Sequence, residues 1–149
     1  MRLSAKGEYG VRAMTILALY FRTGPIPLRE IARTENISYQ FLEQIVLPLR
    51  RAGLINSVRG AKCGYALARP PEKIKVGEIV RVLEGPIAPV ECVADGNKES
   101  CARSPACLTR GIWEKLRDRM EQVLDEITLA DVICEANNET GKINIGDGR

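Results

Sequence analysis

The sequence predicts a mainly α fold with a small β-hairpin wing, a winged helix-turn-helix domain followed by a long dimerisation helix. Three observations carry that prediction. Two short amphipathic helices joined by a tight turn fill residues 28–53, a basic glycine-bearing hairpin follows at 54–67, and a seven-residue apolar rhythm runs through 108–126. A chain of 149 residues has room for one compact domain plus an appended element. Its hydrophobic content of 45% supports a core, and an aromatic share of only 5% makes that core aliphatic.

Residues 5–21 read as the first helix, because Val11, Met14, Leu17, Ala18 and Phe21 recur at three- and four-residue spacing. Gly24-Pro25-Ile26-Pro27 breaks it. Residues 28–34 form a short second helix that buries Leu28, Ile31 and Ala32, and Asn36-Ile37 makes the tight turn. Ser38 is a good N-cap for a third helix, which runs through Phe41, Leu42, Ile45, Val46 and Leu49 to a left-handed stop at Gly53. Pro48 removes a backbone donor inside that helix and is expected to bend or split it near Leu47. Residues 54–58 and 65–67 read as the two wing strands, with Arg59, Gly60, Lys62 and Cys63 at the tip. A small helix at 76–84 ends the first domain, residues 1–84. Residues 85–107 form a cysteine-bearing loop, too long for an ordinary connection. Trp113, Leu116, Met120, Val123, Leu124 and Ile127 then set the rhythm of the dimerisation element, 108–134, whose stripe needs a partner surface; a second copy is the natural one. Residues 128–133 add a capped final turn, and the polar stretch 135–149 is expected to be disordered.

Charge divides the chain. Residues 1–75 carry a net +8 and residues 76–149 a net −5, as expected of a polyanion-binding domain joined to a separate regulatory or assembly element. Two solvated surfaces with chance asymmetry would give the same count. No stretch approaches the ~20 apolar residues that cross a bilayer, and no signal-peptide core is present, so a cytoplasmic protein without a membrane partner is expected. Thiols stay reduced there, which makes the five cysteines ligands or sensors rather than a disulfide framework. The chain has no histidine and no nucleophile motif, so it does not read as an enzyme.

With Leu42, Ile45 and Leu49 facing inward, Tyr39, Gln40, Glu43 and Gln44 project from the start of the third helix, the part that enters a major groove. Gln can bond adenine bidentately, Glu can accept from cytosine N4, and Ser38 with the free N–H groups suits a phosphate. Arg59, with Lys62 close by, is placed to enter a narrow minor groove. Arg2, Lys6, Arg50 and Arg51 read as phosphate contacts or solvated charges. The intended partner is double-stranded DNA carrying a roughly palindromic operator, read by a homodimer. Cys92, Cys101 and Cys107 are separated by eight and five residues. No CxxC pair exists, so a zinc finger is a weak reading, and three thiolates suit an iron–sulfur cluster as well as zinc. The fourth ligand is left among a carboxylate, Cys63, Cys134 and an external thiol.

Met1-Arg2-Leu3-Ser4-Ala5-Lys6-Gly7-Glu8-Tyr9-Gly10, Leu42-Glu43-Gln44, Leu49-Arg50-Arg51-Ala52-Gly53-Leu54, Ser57-Val58-Arg59-Gly60 and Gly64-Tyr65 resemble the IscR/NsrR/CymR family of bacterial regulators over residues 1–134. The resemblance implies a winged helix with a long helix crossing between protomers. It also implies sequence-specific DNA binding by Ser38, Gln40, Glu43 and Gln44 in the major groove and Arg59 in the minor groove. Its cluster-binding branch carries a cysteine trio where Cys92, Cys101 and Cys107 stand, and so implies an iron–sulfur cofactor, 2Fe–2S rather than 4Fe–4S. A second branch, cluster-free repressors of cysteine metabolism controlled by a partner enzyme or thiol oxidation, is resembled by Val82-Leu83-Glu84-Gly85-Pro86-Ile87; nitric-oxide-sensing repressors are a third. The gap from Cys92 to Cys101 is longer than usual for the first branch, and Arg110 stands where iron–sulfur biogenesis regulators place a histidine ligand. Arginine cannot ligate iron. Relatives that recruit an acidic residue from the opposite subunit point instead to Glu8, whose other reading is a charge at a helix start. Cys63 replaces a glycine usual in the wing. The expectation is an iron–sulfur-sensing transcription repressor of cluster-assembly genes, with a sulfur-metabolism or cluster-assembly protein as a further class of partner.

Overall fold

The first structural constraint lies where two helices meet at glycines of one of them. In the computed structural model, which describes residues 2–94 and 101–140, helix α1 (Ala5–Leu19) packs against α4 (Val76–Glu84). Gly7 and Gly10 make the approach possible: a Cβ on Gly7 would meet the Glu84 carboxylate, and one on Gly10 would meet Leu83 Cδ1. Glu84 uses the gap to cap α1. Its carboxylate accepts from the Gly7 N–H at 3.0 Å and from the Ser4 hydroxyl, while Ser4 Oγ accepts from the same N–H at 3.3 Å. Negative charge at the positive end of a helix is favourable, and the orphan Gly7 N–H gains two acceptors.

Helices α2 (Leu28–Glu35) and α3 (Tyr39–Arg51) follow α1. Asn36 turns the chain with a left-handed φ of 53°, a conformation Asn tolerates, and Ile37 N–H closes on the Ala32 carbonyl at 3.0 Å. Met14, Ile31, Leu42, Ile45 and Leu49 meet in a single aliphatic core. The sequence predicts a bend or split at Pro48; there is no split, since α3 continues from Tyr39 through it to Arg51. The carbonyl deprived of its partner belongs to Gln44, on the exposed face, where water can satisfy it.

Strands β1 (Ile55–Val58) and β2 (Gly64–Leu67) pair antiparallel, with Ile55 opposite Leu67 and Val58 opposite Gly64. A bridge from Ile26 extends this ribbon: Ile26 N–H donates to Tyr65 O at 2.9 Å and Tyr65 N–H to Ile26 O at 2.8 Å. The wing is therefore fastened to the α1–α2 connection. Gly64 permits it, because a Cβ there would strike the Ile26 carbonyl.

The long helix α5 (Arg110–Glu126) splits its apolar stripe. Met120, Leu124 and Ile127 pack on Val76, Val80 and Ile87, whereas Ile112, Leu116 and Val123 stay exposed. Arg81 fixes α4 to α5 through a fork onto Asp125 at 2.7 and 2.8 Å. Beyond α5 the chain returns to the first core. Leu129 is fully buried, its N–H donates to Ile74 O at 3.0 Å, and Val76 N–H donates to Ile127 O at 2.9 Å. The predicted final turn is a full helix, α6 (Leu129–Thr140), started by a reciprocal Thr128–Asp131 cap and packed on α1. Helix therefore continues through 135–140, where disorder was expected, because Leu129 and Ile133 anchor its inner face. The rest of the expected tail, residues 141–149, lies outside the described residues.

Gly64→Ala should cost about 1–3 kcal/mol, read as a lowered Tm, since the clash is with backbone that cannot rotate away. The Arg81 fork holds the Asp125 carboxyl below its ordinary value of 3.8. The stabilisation is thus present above that pH and lost as pH falls through the lowered folded value. Asp125→Asn should remove this part of the acid sensitivity and lower stability at neutral pH by about 0.5–1 kcal/mol, the scale of a part-exposed pair. Urea titrations at several pH values would measure both.

Candidate nucleic-acid interface and cysteine segment

Helix α3 divides cleanly by face. Leu42, Ile45, Val46 and Leu49 are buried, while Tyr39, Gln40, Glu43 and Gln44 are all exposed. Ser38 caps the helix, its Oγ accepting from Phe41 N–H at 3.1 Å. Phe41 itself meets Tyr9 of α1 edge-to-face at 6.0 Å, and Arg12 lies over that Tyr9 ring at 5.3 Å while pairing with Glu35 at 3.4 Å. The start of α3 is thus tied to α1 and to the end of α2 before any ligand arrives.

Arg59 and Lys62 stand exposed at the wing tip, where Gly60 takes a φ of 110°. A cleft of about 390 Å³ separates the wing from α3 and the start of α2, and it brings together Arg29, Tyr39, Arg50, Arg59 and Cys63. Tyr39 and Arg59 are residues the sequence analysis assigns to DNA contact, and Arg50 one it reads as a phosphate contact or solvated charge. Arg29 is an addition from the structure, because only the Ile26–Tyr65 bridge sets the start of α2 beside the wing. Gln40, Glu43 and Gln44 lie on the same helix but outside the cleft's lining, as do Ser38 and Lys62.

The second group lies between α4 and α5. Cys92 sits in a short 3-10 turn, Glu91–Val93, and is half-buried, as are Cys101 and Cys107. Cys107 immediately precedes α5 and its Sγ lies 3.4 Å from Thr109 Oγ1. That hydroxyl, then the Thr109 N–H and the Arg110 N–H and charge, draw the thiol below its ordinary value of 9.0. This favours thiolate, the form that ligates soft metals. By chemistry the three thiols suit an iron–sulfur group. By position they are not gathered: among the described residues no three Cys, Asp or Glu side chains converge on a metal-sized site. Glu8 is exposed on the first turn of α1, paired with Arg12 at 3.3 Å, and does not join the cysteines within one chain. Cys63 in the wing and Cys134 in α6 are exposed and free.

Arg117 of α5 donates to the Val93 carbonyl at 2.7 Å and so holds the turn bearing Cys92. Periodicity could not reveal this bond, since it joins a charged helix residue to the backbone of an irregular segment.

Comparison with known proteins places this geometry. The family described as Rrf2, iron-dependent transcriptional regulator, matches residues 3–135. The transcriptional regulator CymR of Bacillus subtilis is 45% identical over 139 residues, covering 93% of this chain and 94% of its own. IscR of Aliivibrio salmonicida is 36% identical over 144 residues, covering 97% and 83%. Among solved structures, T. potens IscR superposes with a TM-score of 0.79 at 44% identity, covering 94% of this chain and 91% of that one. The winged helix and the helical remainder are therefore shared with DNA-binding regulators, and this chain belongs to the Rrf2 family of transcriptional regulators.

Proposed function

We propose that this protein is a homodimeric, cytoplasmic repressor that reads a roughly palindromic DNA operator under the control of an iron–sulfur cluster. The observation that carries the reading is the cysteine segment: three half-accessible thiols in one connection between α4 and α5, one already drawn toward thiolate. Family likeness alone does not choose, because solved structures named CymR and IscR each match at 44% identity, although the IscR of A. salmonicida is 36% identical against 45% for CymR of B. subtilis. When bound, the cluster would supply a redox- and ligand-sensitive link among thiolates. Cys92, Cys101 and Cys107 would hold it, with Glu8 of the partner subunit as the fourth ligand.

The exposed Ile112, Leu116 and Val123 supply the apolar surface a second copy would cover. Such pairing is also what would bring a second α1, with its Glu8, within reach of the cysteines. In that ligand role Glu8 would leave Arg12, which keeps Glu35. On the DNA side, Gln40, Glu43 and Gln44 would meet base edges, Ser38, Tyr39 and Arg50 the backbone, and Arg59 with Lys62 the minor groove. Regulated genes in cluster assembly fit this chemistry. The second reading, a cluster-free repressor of cysteine metabolism, is favoured by the dispersed donors and by the likeness to CymR, whose solved structure is titled the global cysteine regulator of B. subtilis.

Anaerobic reconstitution with iron and sulfide should give visible absorption in the unsubstituted chain and none in Cys101→Ala. A colourless product would overturn the cluster reading and leave the second. Arg59→Ala should weaken binding to a duplex selected from a random library by about tenfold, with the loss concentrated at A·T-rich positions flanking the major-groove contacts. Unchanged affinity and selection would remove Arg59 from the interface.

A further inference from the structure

We propose that Arg117 is a positioning residue for Cys92, gripping the turn that carries this thiol and joining the cysteine segment to the long helix. The inference deepens the cluster-sensing reading and takes from it the role of Cys92.

Cys92 stands in the middle of a three-residue 3-10 turn. Such a turn is weak alone, because its hydrogen bonds are few and poorly aligned. Here they are Val93 N–H to Val90 O at 3.3 Å and Ala94 N–H to Glu91 O at 3.1 Å. Two outside contacts hold it in place. The Val93 side chain is 1% exposed, and the Val93 carbonyl accepts from the Arg117 guanidinium at 2.7 Å. A charge-assisted bond of that length is among the stronger ones a backbone carbonyl makes. The guanidinium is itself oriented, since Nε and a terminal nitrogen reach Asp118 Oδ1 at 2.9 and 2.8 Å. Arg117 is only 23% exposed, so water competes weakly for the bond.

The bond spans 24 positions of sequence and reaches the residue next to the thiol. One peptide unit therefore separates Cys92 from a residue bonded directly to the middle of α5. Cys107 lies three residues before the same helix, its Sγ 3.4 Å from Oγ1 of the N-cap residue Thr109. Two of the three thiols are thus fixed to α5 at separate points, one by chain continuity and one by Arg117.

The test uses the full chain, reduced and free of iron, with site-resolved iodoacetamide labelling read by mass spectrometry. Arg117→Met keeps the apolar stem and removes the donors. It should speed labelling of Cys92 by about threefold or more, with Cys134 unchanged; Arg117→Lys, which keeps one donor, should stay within about twofold of the unsubstituted chain. An unchanged Cys92 rate in a folded Arg117→Met protein overturns the proposal, as does equal acceleration in Arg117→Lys. In the unsubstituted chain, hydrogen exchange gives a second reading. The Val93 and Ala94 amides should be protected well beyond open-loop rates, and open-loop exchange there overturns the proposal even if the methionine variant fails to fold. Neither readout uses a cluster. A colourless reconstitution with Cys92 still shielded by Arg117 would sink the function reading alone, and a cluster-loaded protein with Cys92 indifferent to Arg117 would sink this one alone.

Discussion

The close approach of α1 and α4 is the constraint on which the rest of the structure depends. Gly7 and Gly10 remove the side chains that would hold the two helices apart, Leu83 fills the notch, and Glu84 caps α1 across it. Because α1 also packs on α2 and α3, this joint fixes α3, the helix proposed to read DNA, relative to α4. Because α4 forks through Arg81 onto Asp125, it also fixes α5. One nine-residue helix therefore mediates between the basic half of the chain and the acidic half. Larger residues at positions 7 or 10 would disturb the joint and hence both halves.

The return of the chain after α5 strengthens the same arrangement. Leu129 enters the first core, and paired backbone bonds at Ile74, Val76 and Ile127 stitch the two ends of the α4–α5 unit together. The cysteine segment is then a loop with both ends held by packed helices. Those ends are Glu84, which caps α1, and Arg110, which starts α5.

Much of this was legible in the sequence, where local chemistry has one outcome. Ser38 followed by Leu42, Ile45 and Leu49 specifies a capped helix with one buried face, and Gly53 specifies its stop with a φ of 75°. The wing strands were readable from Leu54 to Leu67 for the same reason. What escaped depended on distant residues. Nothing in the pattern around Pro48 shows that α3 runs on through it to Arg51, its buried face held in the core. Residues 135–140 carry no local sign of structure, because nothing near them shows that Leu129 is pulled into a core whose other members run from Ala13 to Leu83. Arg29 reached the candidate cleft through the Ile26–Tyr65 bridge, a contact no periodicity encodes. The cysteines were visible as a set, but their spacing carries no information about whether one chain or two must gather them.

If α4 links the two halves, what the thiols hold and what α3 reads are two ends of one equilibrium. The direct measurement is operator affinity for a single preparation of protein reconstituted with iron and sulfide, as the proposed function requires, titrated on the same duplex at fixed salt before and after anaerobic removal of the iron. Coupled sites require the two affinities to differ by about fivefold or more, in either direction, with the iron held more or less tightly by the same factor when operator is present. Equal affinities in protein shown to have held and lost its iron would contradict the account, leaving a DNA-binding domain and a cysteine segment that merely share a chain.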